Sequence, residues 1–108
     1  MRIIARRTLN QFIASRIGHT DHAALKGALE ARFHEVRRAQ WVSTAEVKQQ
    51  YRSASIVSGD RIVFNIKGND YRLVVAVDYE KGIVWIEWIG THAAYDRIDV
   101  RTVNYDGA

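Results

Sequence analysis

The stretch VFNIKGNDYRL, residues 63–73, decides the fold. Gly68-Asn69 supplies turn chemistry between two runs that alternate with period two, which predicts a β-hairpin. Working outward, Arg61–Ile66 places Ile62, Phe64 and Ile66 on one face and Arg61, Val63 and Asn65 on the other. Tyr71–Val77 sets Leu73, Val75 and Val77 opposite Arg72, Val74 and Ala76. Upstream, Ser55–Val57 reads as a strand ending in a Ser-Gly-Asp turn at 58–60. Downstream, Lys81-Gly82 turns the chain into Ile83–Ile89. Simple alternation there puts Val84, Ile86 and Trp88 on one face and Ile83, Trp85, Glu87 and Ile89 on the other. Connections this short predict antiparallel pairing.

Before Arg52 the period is helical. Arg6 to Ile17 carries Leu9, Phe12, Ile13 and Ile17 on one face, and Gly18 follows where a helix end favours a left-handed residue. Thr20 and Asp21 are candidate caps for a second helix to about Ala39, striped by Leu25, Ala28, Leu29, Phe33 and Val36. Ser43 with Glu46 fits a capping box that opens a short third helix to about Tyr51. Arg2–Ala5 is a further short strand candidate. Periodicity is lost from Thr91, and the tail beyond Val103 reads as loose. The expectation is α+β: two N-terminal helices and a short third, packed on one face of a twisted, mainly antiparallel sheet, within one domain over 1–108.

The chain has 108 residues, no cysteine and an apolar fraction of 47%. Disulfides and thiolate metal sites are excluded, and the composition fits a folded domain. No apolar run approaches the ~20 residues of a membrane span, so a soluble cytoplasmic protein is expected. The net charge is +4, with nine Lys/Arg against four Asp/Glu in residues 1–50 and seven against eight in 51–108. The basic surplus lies on the helices, with Lys26, Arg32, Arg37 and Arg38 on the outer faces. It implies either an acidic partner such as nucleic acid or a solvated helix face. His19, His22 and His34 offer no convincing metal-ligand spacing, and neither a P-loop, GxGxxG nor a nucleophile elbow is present. No cofactor is expected.

The block FNIKGN-x-YRL, with AEVKQQYRSAS at 45–55 and GTHAAYD at 90–96, resembles the HigB toxins of bacterial type II toxin–antitoxin modules. The likeness runs from about residue 1 to residue 100. It implies a RelE-like fold with two N-terminal helices laid against a twisted antiparallel sheet. It implies an endoribonuclease that cuts mRNA, generally during translation on the ribosome, and a HigA-type helix-turn-helix antitoxin. Within the RelE-like superfamily some members use a Glu with a His, and others use Lys and Arg with a Tyr. This sequence has a C-terminal His and Tyr, and simple alternation gives no obvious Glu base on the sheet's polar face.

Metal-free RNA cleavage needs a group to take the 2′-OH proton, cations for the phosphorane and an acid for the leaving oxygen. His92 is the candidate acid or base, since imidazole titrates near neutrality; the alternative is a structural histidine at the strand end. Arg72 and Lys67 are the candidate phosphate cations, Arg with a bidentate fork and Lys as a point charge. Arg72 could instead pair across the sheet with Glu87 or an Asp. Tyr95 either stacks on a base or donates a proton, or packs its ring on the sheet. Asn65 is a candidate for orienting the phosphate or 2′-OH. Arg61 and Arg52 are equally phosphate contacts or solvent residues. Lys26, Arg37 and Arg38 complete the candidate RNA-binding surface. The competing function is a non-catalytic module that binds RNA or a partner through the same surface.

Overall fold

A computed structural model describes residues 1–4 and 6–104. Strand β1 (Arg2–Ile4) is followed by helices α1 (Arg6–Ser15), α2 (His22–Arg38) and α3 (Thr44–Gln50). Strands β2 (Ser55–Ile56), β3 (Arg61–Ile66), β4 (Tyr71–Asp78) and β5 (Ile83–Thr91) come next, then the short α4 (His92–Tyr95). The sheet order is β1-β5-β4-β3-β2. β1 runs parallel to β5, and the other neighbours are antiparallel. The fold is α+β with a mixed, mostly antiparallel sheet, as the resemblance implied.

The helical stripe does the packing. Leu25, Leu29, Phe33 and Val36 of α2 are buried, and Leu9 of α1 is fully so. They meet Ile62, Phe64 and Ile66 of β3, Leu73, Val75 and Val77 of β4, and Val84 and Ile86 of β5 in one core. Each such side chain contributes roughly 1.5–3 kcal/mol of burial. α1 stops at Ser15, before Ile17, which is 69% exposed and not part of the apolar face. The Met1 amino group donates to the carbonyls of Val36, Arg37 and Ala39 at 2.7–3.0 Å. A cation there complements the negative end of the α2 dipole.

Local chemistry departs from the expected caps. Asp21 sits at the N-cap of α2, but its side chain makes no cap bond. It accepts instead from the Tyr71 hydroxyl across the molecule. Ser43 precedes α3 without a side-chain cap bond, and Glu46 accepts from Val42 N, one residue earlier than a capping box requires. The β3–β4 turn takes its left-handed conformations at Lys67 and Gly68 rather than at Gly68-Asn69. Ala5 of the first strand candidate and residues 105–108 of the expected loose tail lie outside the described residues.

The main correction concerns β5. Val74 pairs with Trp88, whereas Val75 pairs with Ile86, so Glu87 is an extra residue in a β-bulge. Beyond the bulge the faces exchange relative to simple alternation. Ile89 enters the core and Trp88 turns to the opposite face. Ile86 and Ile89 are three apart, so both can face the core only if one residue is bulged out.

Candidate functional site

The sheet face away from the helices is organised in rows. Asn65, Arg72 and Gly90 lie side by side across β3, β4 and β5; Val63, Val74 and Trp88 form the next row; Arg61, Ala76 and Trp85 the third. The rows differ in how much of their chemistry is already engaged.

The third row is committed to the fold. The Arg61 guanidinium donates to the carbonyls of Val100 and Val103 at 3.1 and 2.5 Å. It also lies 4.0 Å from the Glu87 carboxylate, with both side chains under one-fifth exposed. Ala76 stands between β3 and β5 at this level, and its short side chain leaves room for Arg61 to reach across. The segment after α4 is thereby tied over this end of the face as far as Val103. Glu87 lies on the face away from the core, the side that simple alternation gave it, and it pairs with Arg61 rather than Arg72.

The first row borders the β3–β4 turn, where the candidates gather. Lys67 has φ +52° and Gly68 φ +65°. A non-glycine residue in that region costs about 1–2 kcal/mol. The Lys67 Nζ–Asp70 Oδ2 bond at 2.7 Å favours this conformation and raises the ammonium pKa above its ordinary value. The Asp70 carbonyl accepts from His92 N at 3.0 Å, so the turn braces the start of α4. Thr91 caps α4 by accepting from Ala94 N at 3.1 Å. The THAAY sequence thus folds as a capped single turn where periodicity had been lost. His92 is exposed, with Nε2 4.0 Å from Asp96 Oδ1.

Arg72 points its Nη1 at the carbonyls of Asn69 and Tyr71, at 2.9 and 3.3 Å. Its guanidinium carbon lies 5.9 Å from the centre of the Tyr95 ring. Among the described residues no carboxylate stands within ion-pair distance of it. The cation therefore keeps its full charge toward an incoming anion. Tyr95 is half-buried, with its ring 6.3 Å from that of Trp88. Asn65 is half-buried beside Arg72 in the register.

Beneath this end, Tyr71 is buried and its hydroxyl donates to Asp21, which lies 3.7 Å from Arg16. The Tyr71 bond, followed by the Arg16 and Lys67 charges, holds the Asp21 carboxyl below the usual carboxylate range despite some desolvation. Burial, then the Asp21 acceptor, pushes the Tyr71 phenol up. This pair ties the α1–α2 junction to the strand that carries Arg72.

The remaining basic candidates lie elsewhere. α2 begins beside Tyr71, and its 17 residues extend about 25 Å. Arg37 and Arg38 are therefore exposed near the far end of the molecule, next to Met1, with Arg38 3.4 Å from His34. Lys26 is exposed on the same helical layer, and Arg52 is exposed after α3. Arg32 is not a solvent cation: it stacks 4.3 Å from the Tyr51 ring centre. Among the described residues no three His, Asp or Glu side chains gather as a metal site. Nor is any described helix long and apolar enough to cross a membrane.

The family model HigB_toxin, described as the RelE-like toxic component of a toxin–antitoxin system, matches residues 25–98. The match spans α2 through α4 and includes the bulged strand. No curated protein matches the chain.

Proposed function

This chain belongs to the HigB toxin family, and on that premise we propose that it is a metal-independent endoribonuclease that cuts translated mRNA on the ribosome. Membership of a toxin–antitoxin family implies an antitoxin partner; we take that partner to be a HigA-type helix-turn-helix protein and the site of action to be the cytoplasm. The observation that carries the reading is the position of Arg72. It is a cation without a carboxylate, set between the turn that holds Lys67 and the α4 turn that holds His92 and Tyr95.

In the proposed reaction the 2′-oxygen attacks the adjacent phosphorus, the P–O5′ bond breaks, and the products are a 2′,3′-cyclic phosphate and a 5′-hydroxyl. Arg72 stabilises the extra negative charge of the phosphorane, where a preorganised donor gives its largest effect. Lys67, paired with Asp70, is a second cation at the rim, and that pairing raises its pKa above the ordinary value. His92 exchanges a proton with the 2′-OH or the leaving oxygen. Asn65 orients the phosphate or ribose, and Tyr95 contacts a base or donates a proton. Lys26, Arg37, Arg38 and Arg52 supply longer-range attraction to RNA.

One observation favours the alternative, a non-catalytic RNA- or partner-binding module: Glu87, the carboxylate that β5 places on this face, is already paired with Arg61. Primer extension on a defined mRNA, with and without translating ribosomes, separates the readings. The nuclease reading expects cuts with cyclic-phosphate ends, reduced about 10²-fold or more in Arg72→Ala and His92→Ala variants that still melt cooperatively. Intact mRNA under both conditions with folded protein would establish the binding module instead.

A further inference from the structure

Three features of β5 converge on one side chain that the nuclease reading leaves unused. The Glu87 bulge turns Trp88 out of the core and onto the polar face. Bulges beside functional sites commonly re-aim a side chain in this way. The indole then lies over Gly90: a Cβ built on Gly90 would collide with Trp88 Cη2 and Cζ2. Glycine weakens a strand and commonly marks a place where another group approaches closely. Here it occupies the register position beside Arg72. Trp88 is half-buried and is not among the residues that build the main core. Its ring neighbour is Tyr95, which in turn carries the Arg72 cation on its other contact.

We infer that Trp88 and Tyr95 form the seat for one unpaired nucleobase of the RNA, with that nucleotide's phosphate against Arg72. This deepens the nuclease reading and rests on it for the choice of ligand. A base stacked on the indole would stand next to the guanidinium, which is how single-stranded nucleic acid is commonly held: aromatic planes take the bases while cations follow the backbone. Stacking recognises the π-face that every base shares, so the seat is tolerant of base identity. It fixes which phosphodiester is presented, rather than which base is read. Gly90 makes room for the seat, because any larger residue there displaces the indole.

The test uses a 2′-O-methyl RNA tetranucleotide, which cannot be cleaved, together with versions bearing one abasic position each. Binding is followed on the indole N–H resonances, with Trp88 assigned by Trp88→Phe. The Trp88 resonance is expected to shift on titration, whereas that of Trp41, buried and bonded to Gln50, stays in place. Trp88→Ala is expected to weaken binding roughly tenfold, with Trp88→Tyr restoring most of it. Gly90→Ala should weaken binding similarly while keeping the fold, since the contact is relieved by rotating the whole indole about χ1 and χ2 rather than by moving backbone. One abasic position should produce the same loss in the wild type and no further loss in Trp88→Ala. A fixed Trp88 resonance, an abasic penalty that persists in Trp88→Ala, or no binding of the tetranucleotide would each overturn the seat. The nuclease reading fails separately: occupation of the seat without cleavage of any mRNA leaves a base-binding module, and cleavage that ignores Trp88 leaves the nuclease without this seat.

Discussion

Deleting Glu87 tests the bulge directly, because its removal leaves every remaining residue of β5 on its present face. In the folded protein Ile86 points to the core, Glu87 and Trp88 both point away, and Ile89 points to the core. Without Glu87 the remaining residues alternate regularly, and Ile86, Trp88, Ile89 and Gly90 keep their sides. The loss is the ion pair with Arg61 at 4.0 Å. Arg61 retains its two carbonyl acceptors, so its donors stay hydrogen-bonded although its charge loses the counter-ion. The cost should fall between the exposed-pair and buried-pair limits, about 1–2 kcal/mol. For a chain of this length that lowers Tm by about 5–15 °C. Deleting Trp85 is the control. No regular register then keeps Val84 and Ile86 inward together. Turning out either one, now 1% and 2% accessible, costs about 1.5–3 kcal/mol, and the register that turns Ile86 out also brings Glu87 inward as an unpaired carboxylate, costing several kcal/mol more. Either register also shifts the pairing on one side of the deletion, so the loss is expected to exceed that of the Glu87 deletion. Thermal melts by circular dichroism, with the Val74–Trp88 cross-strand proton contact followed by NMR, read both variants. A Glu87 deletion that fails to melt cooperatively, or a Trp85 deletion equal to it in stability, would refute the assignment of the bulge.

Two further outcomes are expected. Tyr51, Tyr71 and Tyr79 have phenols raised above the ordinary value of 10, in each case chiefly by burial, with the Glu35 acceptor reinforcing it at Tyr51 and the Asp21 acceptor at Tyr71. A raised folded-state value means that their stabilising contribution is intact below pH 10 and declines as pH rises through the folded values. Absorbance at about 295 nm should show them ionising later in the native protein than after denaturation; coincident titrations would contradict their burial. Arg37→Gln with Arg38→Gln should reduce the salt dependence of RNA binding by about 0.7 in log–log slope for each phosphate no longer neutralised, while cleavage of bound RNA is unchanged. An unaltered slope would remove the far end of α2 from the RNA surface.

The sheet was legible in the sequence because its strands carry strong local signals. Alternation of Ile62, Phe64 and Ile66, and of Leu73, Val75 and Val77, reports which face is buried, and the core uses those residues. The α2 stripe was legible for the same reason at helical spacing. What failed were features set by tertiary partners. Asp21 looks like a cap in isolation, but a buried tyrosine 50 positions away offers its carboxylate a stronger claim. The turn of α4 has no periodic signal, since a single turn depends on the Thr91 cap and the Asp70 carbonyl rather than on a stripe. Trp88 and Ile89 were assigned faces by strict alternation, which cannot register an extra residue. The signal that could have found them was the three-residue gap between Ile86 and Ile89, two large aliphatics on a strand whose Val84 and Ile86 already mark the core face.

The division of the open face explains why so many cations there need not share one task. Arg61 and Arg72 are both outward residues on neighbouring strands, yet only Arg61 has carbonyls and a carboxylate converging on it. Its positive charge is largely neutralised, and substituting it would first loosen the segment after α4. Arg72 meets only carbonyls and an aromatic face. Carbonyls orient a guanidinium without cancelling its charge, and an aromatic face attracts it weakly, by about 0.5–1 kcal/mol when exposed. Asp70 extends the same logic: its carboxylate is spent on Lys67 and its carbonyl on His92 N, so it fixes two candidate groups while facing Arg72 with neither. Bracing Arg72 with carbonyls, while Asp70 and Glu87 pair with Lys67 and Arg61, preserves positive potential at Arg72, where an anion would bind. A surface selected only for folding would gain more by pairing Arg72 with a carboxylate across β5, where Gly90 now stands.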